Sequence, residues 1–250
     1  ISGIEEEGRV HGYNILISQS HDSYENEVES CKALYDTRIG ALIVSLAMET
    51  TKYKHFDQFI ANRIPIVFVD RITEQFTSDR VIIDNFAAGY MATEHLIQQG
   101  CKRIAHLGGL SHRVLYRERQ RGYQEALKNH GLEVTTDLIL EGNILSMEEG
   151  QKMTRHLLDR GLRPDGIFAA NDSAAVGAIQ QLRQSGLRVP DDVAIIGFNN
   201  DPISTIIEPA LSTVSHPAFD MGRLAVKQVL KQHVPHEMVS SETIVLKTEL

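Results

Sequence analysis

Seven short apolar runs, spread along the chain and separated by helical stretches, constrain its fold more than any other feature. They lie at residues 14–18, 41–45, 65–70, 81–84, 103–107, 166–170 and 193–198. Each is nearly continuous in Val, Ile and Leu instead of alternating with polar residues. Strands covered on both faces read this way, which predicts parallel sheets lying under helices. Helical spacing fills the intervals. Residues 172–185 place Ala175, Ile179 and Leu182 on one side, and residues 147–160 stack Met153 on Leu157. After Pro217, a third stretch aligns Met221, Leu224, Ala225 and Val229. Gly100, Gly131, Gly161 and Gly186 stand where such helices should stop. Strand and helix in repeated alternation predict a doubly wound α/β fold.

A length of 250 residues suits two packed lobes better than one core. The chain opens in a helix-like segment, 1–10, and turns at His11-Gly12-Tyr13. In a series of strand-helix units a strand should come first, so the expectation is that a first strand, and whatever precedes it, is absent here. Residues 73–79 and 110–116 read as exposed loops. No apolar stretch of about 18 residues is present for a membrane span, and the first residues show no signal-peptide pattern. A net charge of -8 repels phosphate backbones and argues against nucleic-acid binding by this segment alone. Cys31 and Cys101 sit in unrelated contexts and read as reduced thiols of a cytoplasmic protein. Nucleophile-elbow, P-loop, zinc-helix and dinucleotide motifs are all missing, so the reading is non-enzymatic, with no metal and no cofactor. Gly108-Gly109-Leu110-Ser111 has the form of an anion cradle or, more simply, of a turn.

Five segments, in order, resemble LacI-type bacterial transcription regulators. Residues 95–105 (HLIQQGCKRIA) resemble a helix-to-strand junction of that family, and 119–123 (RQRGY) its R-x-x-G-aromatic segment. Residues 167–178 (IFAANDSAAVGA) look like its Asn-Asp strand-to-helix turn. Residues 186–198 (GLRVPDDVAIIGF) and 209–214 (PALSTV) look like two further signatures. The likeness spans essentially the whole chain. It implies a type I periplasmic-binding-protein-like fold, with two doubly wound parallel-sheet lobes hinged by three crossings. Lobe one would cover about residues 1–101 and 216–242, and lobe two 102–215 and 243–250. It also implies a small polar effector, a sugar or sugar derivative, held in an interlobe cleft beyond the strands' carboxyl ends. Operator DNA would be bound through a headpiece absent from this chain, and the protein would be a cytoplasmic homodimer. Periplasmic sugar-binding proteins of transporters share the 119–123 and 167–178 patterns and form the alternative. The 186–198 segment favours the regulators.

Six residues stand out as ligand candidates. Asp84 ends a buried run; it would accept from ligand hydroxyls, or cap a helix beginning near Phe86. The resemblance implies a ligand-binding role for Arg119, whose guanidinium fork suits vicinal hydroxyls or a carboxylate. Asn171, with an amide that both donates and accepts, suits a sugar hydroxyl, while Asp172 reads as the cap of the next helix. Asn199 stands where many family members have aspartate, and His216 where glutamine is frequent. Arg113 lies six residues before Arg119, at a position that some purine-sensing relatives use. Two cations and one carboxylate in the site would favour an anionic ligand such as a sugar phosphate or sugar acid. Tyr24, Phe86 and Tyr116 are equal candidates for stacking on a sugar face.

Overall fold

The computed structural model describes residues 1–75, 77–232 and 241–250. They divide into two compact units, Ile1–Ile83 with Pro217–Lys247, and Asp84–His216 with Thr248–Leu250. The chain therefore passes from one unit to the other three times, as a fold with three crossings requires. The first passage falls between Ile83 and Asp84 and not near residue 101. The helix after it packs along a helix of the second unit and so belongs there.

The first unit runs α1 (Ser2–Val10), α2 (Tyr24–Asp36), β1 (Leu42–Val44), α3 (Asp57–Ala61), β2 (Ile66–Val69) and β3 (Asp79–Ile83). The second contributes α4 (Asn85–Gln98), β4 (Ile104–Gly109), α5 (Val114–Asn129), β5 (Ile139–Gly142), α6 (Met147–Asp159) and β6 (Gly166–Ala169). It continues with α7 (Asp172–Gln184), β7 (Ala194–Asn199), α8 (Ile203–Ile206) and β8 (Ser212–Ser215). The chain then returns to the first unit as α9 (Ala218–Gln232) and β9 (Thr243–Leu246).

In the first unit a parallel sheet of order β1-β2-β3-β9 carries a core of Cys31, Leu42, Phe56, Phe59 and Phe68. Burial pushes the Cys31 thiol up to about 12 and Cys101, in the second unit, up to about 11, so neither ionises readily. The expected strand at 14–18 is not formed. Among the described residues no strand pairs with it, and Leu16 and Ile17 are 55% and 52% exposed. Apolar composition alone does not make a strand without a ladder partner. The expected loop at 73–79 is also corrected at its ends. Thr73 is buried, and Asp79 already belongs to β3, where its carboxylate accepts from Glu242 N at 2.7 Å; Phe76 lies outside the described residues.

The second unit holds a parallel sheet of order β5-β4-β6-β7-β8. Register fixes its two faces. His106 pairs with Phe168 and Phe168 with Ile196, so these share one face, whereas Leu107 and Ala169 share the other. Helices α4 and α5 cover the first face and α6 and α7 the second. Both helix pairs approach backbone to backbone at glycine. A Cβ on Gly122 would fall 2.1 Å from Phe86 O, and one on Gly177 would fall 1.9 Å from Met147 O. These are the glycines of the R-x-x-G and Asn-Asp segments, so each segment joins a packing contact to a site residue. The four helix-stop glycines have φ from +70° to +97°, the left-handed region that ends helices.

Candidate functional site

The second unit's sheet starts at β4, moves outward to β5, then crosses back to β6 on the opposite side of β4. Strand order thus reverses between β4 and β6. The loops leaving their carboxyl ends diverge there, and that crevice is where doubly wound sheets hold ligands. Five of the six sequence-derived candidates follow carboxyl ends of this one sheet. Arg113 and Arg119 follow β4, Asn171 follows β6, Asn199 closes β7, and His216 follows β8.

Arg119 occupies the reversal point. It is 3% exposed, yet three elements hold its guanidinium. Nε donates to Asn85 Oδ1 at 2.9 Å at the start of α4, and Nη1 donates to Ala170 O at 2.8 Å just past β6. Its Cζ lies 3.5 Å from the centroid of the Phe198 ring on β7. A planar cation is favoured over an aromatic face, and the fork spans two acceptors at once. Arg113, 8% exposed, sits at the N-terminus of α5 with its own N–H on Leu110 O at 3.0 Å. Of the three candidate stacking rings only Tyr116 belongs with this group. It lies against Gly109, where a Cβ would come 2.3 Å from the ring, and its centroid is 5.8 Å from Arg119 Cζ. Phe86 faces Arg121 instead, and Tyr24 packs edge-on against His55 in the first unit.

The capping task expected of Asp172 falls to Asn171. Asn171 is the N-cap of α7: its Oδ1 accepts from Ala174 N at 2.8 Å, while Nδ2 donates to Leu145 O at 2.8 Å. Asp172 is fully buried and turned toward β8, accepting from Thr213 Oγ1 at 2.6 Å and Asp201 N at 2.7 Å. Burial pushes its carboxyl up, and these two hydrogen bonds oppose that shift. A side chain at Asn171 caps as well as one at Asp172, and the aspartate turns instead to Thr213 and the Asp201 amide. Asp84 is exposed and N-caps α4, accepting from Ala87 N at 2.8 Å. Asn199 has φ +108°, uncommon for a side-chain-bearing residue; its O accepts from His216 N at 3.3 Å.

Beneath Arg119, on the same face of the sheet, lies His106, which belongs to none of the sequence motifs. It is wholly buried. The ring stacks between Tyr123 (5.2 Å, 22°) and Phe168 (4.8 Å, 28°), and Nδ1 bonds to Phe168 O at 3.1 Å. Burial pushes its pKa down to about 4, helped by the nearby Arg119 charge and opposed by the Phe168 bond. The signal was legible as one polar residue inside the apolar run 103–107. Asn85, which orients Arg119, gave no such signal. In the first unit, Glu27 makes a self-contained cluster. It accepts from Ala47 N at 2.6 Å, Thr50 Oγ1 at 2.8 Å and His55 Nε2 at 2.8 Å. Burial would raise its carboxyl, but these bonds hold it below the usual value. Among the described residues no group of three or more His, Cys, Asp or Glu is placed to hold a metal.

Two doubly wound parallel-sheet units joined by three crossings place the chain in the periplasmic-binding-protein-like class. A family model described as a periplasmic binding protein-like domain matches residues 93–250. The ribose operon repressor of Halalkalibacterium halodurans is 30% identical over 96% of this chain and 73% of its own length. The crystal structure of the transcription regulator CcpA of Lactococcus lactis superposes with a TM-score of 0.89 at 29% identity, covering 99% of this chain and 89% of that one. A transcriptional regulator CelR–cellobiose complex gives a TM-score of 0.85 at 27% identity, covering 99% and 75%. The chain belongs to the LacI family of transcriptional regulators.

Proposed function

We propose that this chain senses a small polar effector of the carbohydrate class at the carboxyl end of the second unit's sheet and thereby modulates operator binding. The observation that carries the reading is the Arg119 guanidinium, buried at the reversal point between β4 and β6 and held there by Asn85, Ala170 O and Phe198. A cation oriented by three elements is a prepared recognition group. Arg113 beside it, Asn171, Asn199 and His216 at neighbouring strand ends, and the Tyr116 ring complete a lining suited to hydroxyls on a ring with an apolar face. Asp84 contributes from the start of α4, where its second carboxylate oxygen accepts from the effector. The cellobiose in the CelR complex supports a sugar in this family.

Two buried guanidiniums favour an acidic or phosphorylated sugar over a neutral one. DNA binding falls to a headpiece outside this chain, in a cytoplasmic homodimer, and an effector that prefers one conformation of the domain shifts operator affinity by its differential affinity for the two. The repressor relatives favour this over the transport reading, and they favour binding over catalysis. A thermal-shift screen against ribose, cellobiose, sugar acids and sugar phosphates tests it. The expected result is a rise in Tm with at least one carbohydrate, larger for the anionic form. No shift with any of them at millimolar concentration contradicts the sensing reading, and tighter binding of the neutral form contradicts the preference for anions.

A further inference from the structure

Two consecutive residues at the exit of β7 hold backbone conformations that side-chain-bearing residues rarely adopt. Asn199 has φ +108° and Asn200 φ +56°. Such a turn persists where its surroundings fix it. The group that fixes this one is the Asp172 carboxylate. Its Oδ2 accepts from Asp201 N at 2.7 Å, directly after the two left-handed residues, and its Oδ1 accepts from Thr213 Oγ1 at 2.6 Å. The same Thr213 oxygen accepts from Asn200 N at 3.2 Å. One carboxylate therefore governs two successive amides of the turn, one directly and one through a hydroxyl.

Gly197 makes the seat for that carboxylate. It pairs with Thr213 across β7 and β8, and a Cβ on it would fall 2.1 Å from Asp172 Oδ1. The carboxylate thus fills the space that any side chain at residue 197 would need. Packing does not call for an acid here. Asp172 is wholly buried, and burial pushes its carboxyl up against the pull of its hydrogen bonds. The turn in its own right sets two candidate contact residues. Asn199 lies within it, and the Asn199 carbonyl accepts from His216 N at 3.3 Å, just past β8.

We propose that Asp172 is a positioning residue of the effector site. Its carboxylate, seated on Gly197, locks the turn at 199–201 and through it fixes where Asn199 and His216 stand at the ends of β7 and β8. It touches no effector itself. The link to an effector rests on the reading above, in which Asn199 and His216 line the site; the locking of the turn does not.

Backbone order parameters from 15N relaxation of the full chain, with calorimetric titration of D-ribose and cellobiose, test this. Asp172→Asn keeps the shape and replaces one acceptor by a donor, and Thr213→Val keeps the shape and removes the hydroxyl. Both are expected to lower the order parameters of Asn199, Asn200, Asp201 and His216. Both should also weaken whichever sugar binds the unaltered chain by about tenfold. Thr213→Ser retains the hydroxyl and should restore both readouts. Leu107→Ala weakens the same sheet on β4, away from the turn, and should leave turn and affinity unchanged. Order parameters unaltered in both Asp172→Asn and Thr213→Val overturn the proposal, as does equal loosening in Leu107→Ala. A loosened turn with unchanged sugar affinity overturns it too. An unaltered chain that binds neither sugar counts against the effector reading alone, and the order parameters then decide the locking.

Discussion

The two faces of the second unit's sheet are built by the same device and filled in opposite ways. Each is covered by a helix pair brought close by glycine, Gly122 against α4 on one side and Gly177 against α6 on the other. Beneath α6 and α7 the filling is dry: Ala105, Leu107, Ile167, Ala169, Ala175, Ile179 and Leu182. Beneath α4 and α5 the same strands present His106, Phe168 and Phe198 to Tyr123 and to the Arg119 guanidinium. Packing alone would favour an apolar filling on both sides, because a buried polar group costs stability unless matched. The face under α4 and α5 therefore carries groups that packing does not require, and they converge on the carboxyl end where the strand order reverses.

Substitutions should separate the faces. Leu107→Ala on the dry face removes fully buried methyl groups and should cost about 2–5 kcal/mol by chemical denaturation, with no dependence on pH. Acidification should act on the other face. The pKa of His106 is lowered in the folded chain to about 4 against 6.5, so the unfolded chain binds more protons between those values. Stability present above pH about 6.5 is then lost progressively down to pH about 4, by about 3 kcal/mol in total. His106→Phe should flatten that part of the pH–stability curve; an unchanged curve would assign the loss elsewhere. Gly122→Ala and Gly177→Ala should each cost about 1–3 kcal/mol by forcing helices apart, and only Gly122→Ala should also disturb ligand affinity, since Arg119 lies one turn away on the same helix. Asn171→Ala should cost about 1 kcal/mol through the lost α7 cap.

The sequence announced the dry face more clearly than the polar one. Runs 103–107, 166–170 and 193–198 became β4, β6 and β7 because strands covered on both sides need unbroken apolar residues. Strands β5, β8 and β9 lie outside the apolar runs. Glu141 interrupts the first, serine and threonine dominate the second, and the third alternates between exposed and half-buried residues. Their pairing comes from neighbours that only the fold supplies. Within the candidate site, Arg119 and Asn171 stand in segments that resemble those of a family, yet the choice of Asn171 over Asp172 as the α7 cap was invisible, because both residue types can cap. What decides it is Thr213 and the Asp201 amide, 41 and 29 residues away in sequence.

The central claim is that Arg119 is a recognition group and not merely a buried tie between α4, β6 and β7. Calorimetric titration of the tightest-binding carbohydrate against the wild-type chain and Arg119→Lys, alongside thermal unfolding of both, tests this most directly. Lysine keeps the charge but loses the fork. The account predicts that affinity falls about ten- to a hundredfold, the equivalent of about 1.4–2.8 kcal/mol, with a much smaller loss in unfolding free energy. Unchanged affinity accompanied by a large drop in stability would make Arg119 a structural tie and contradict the account.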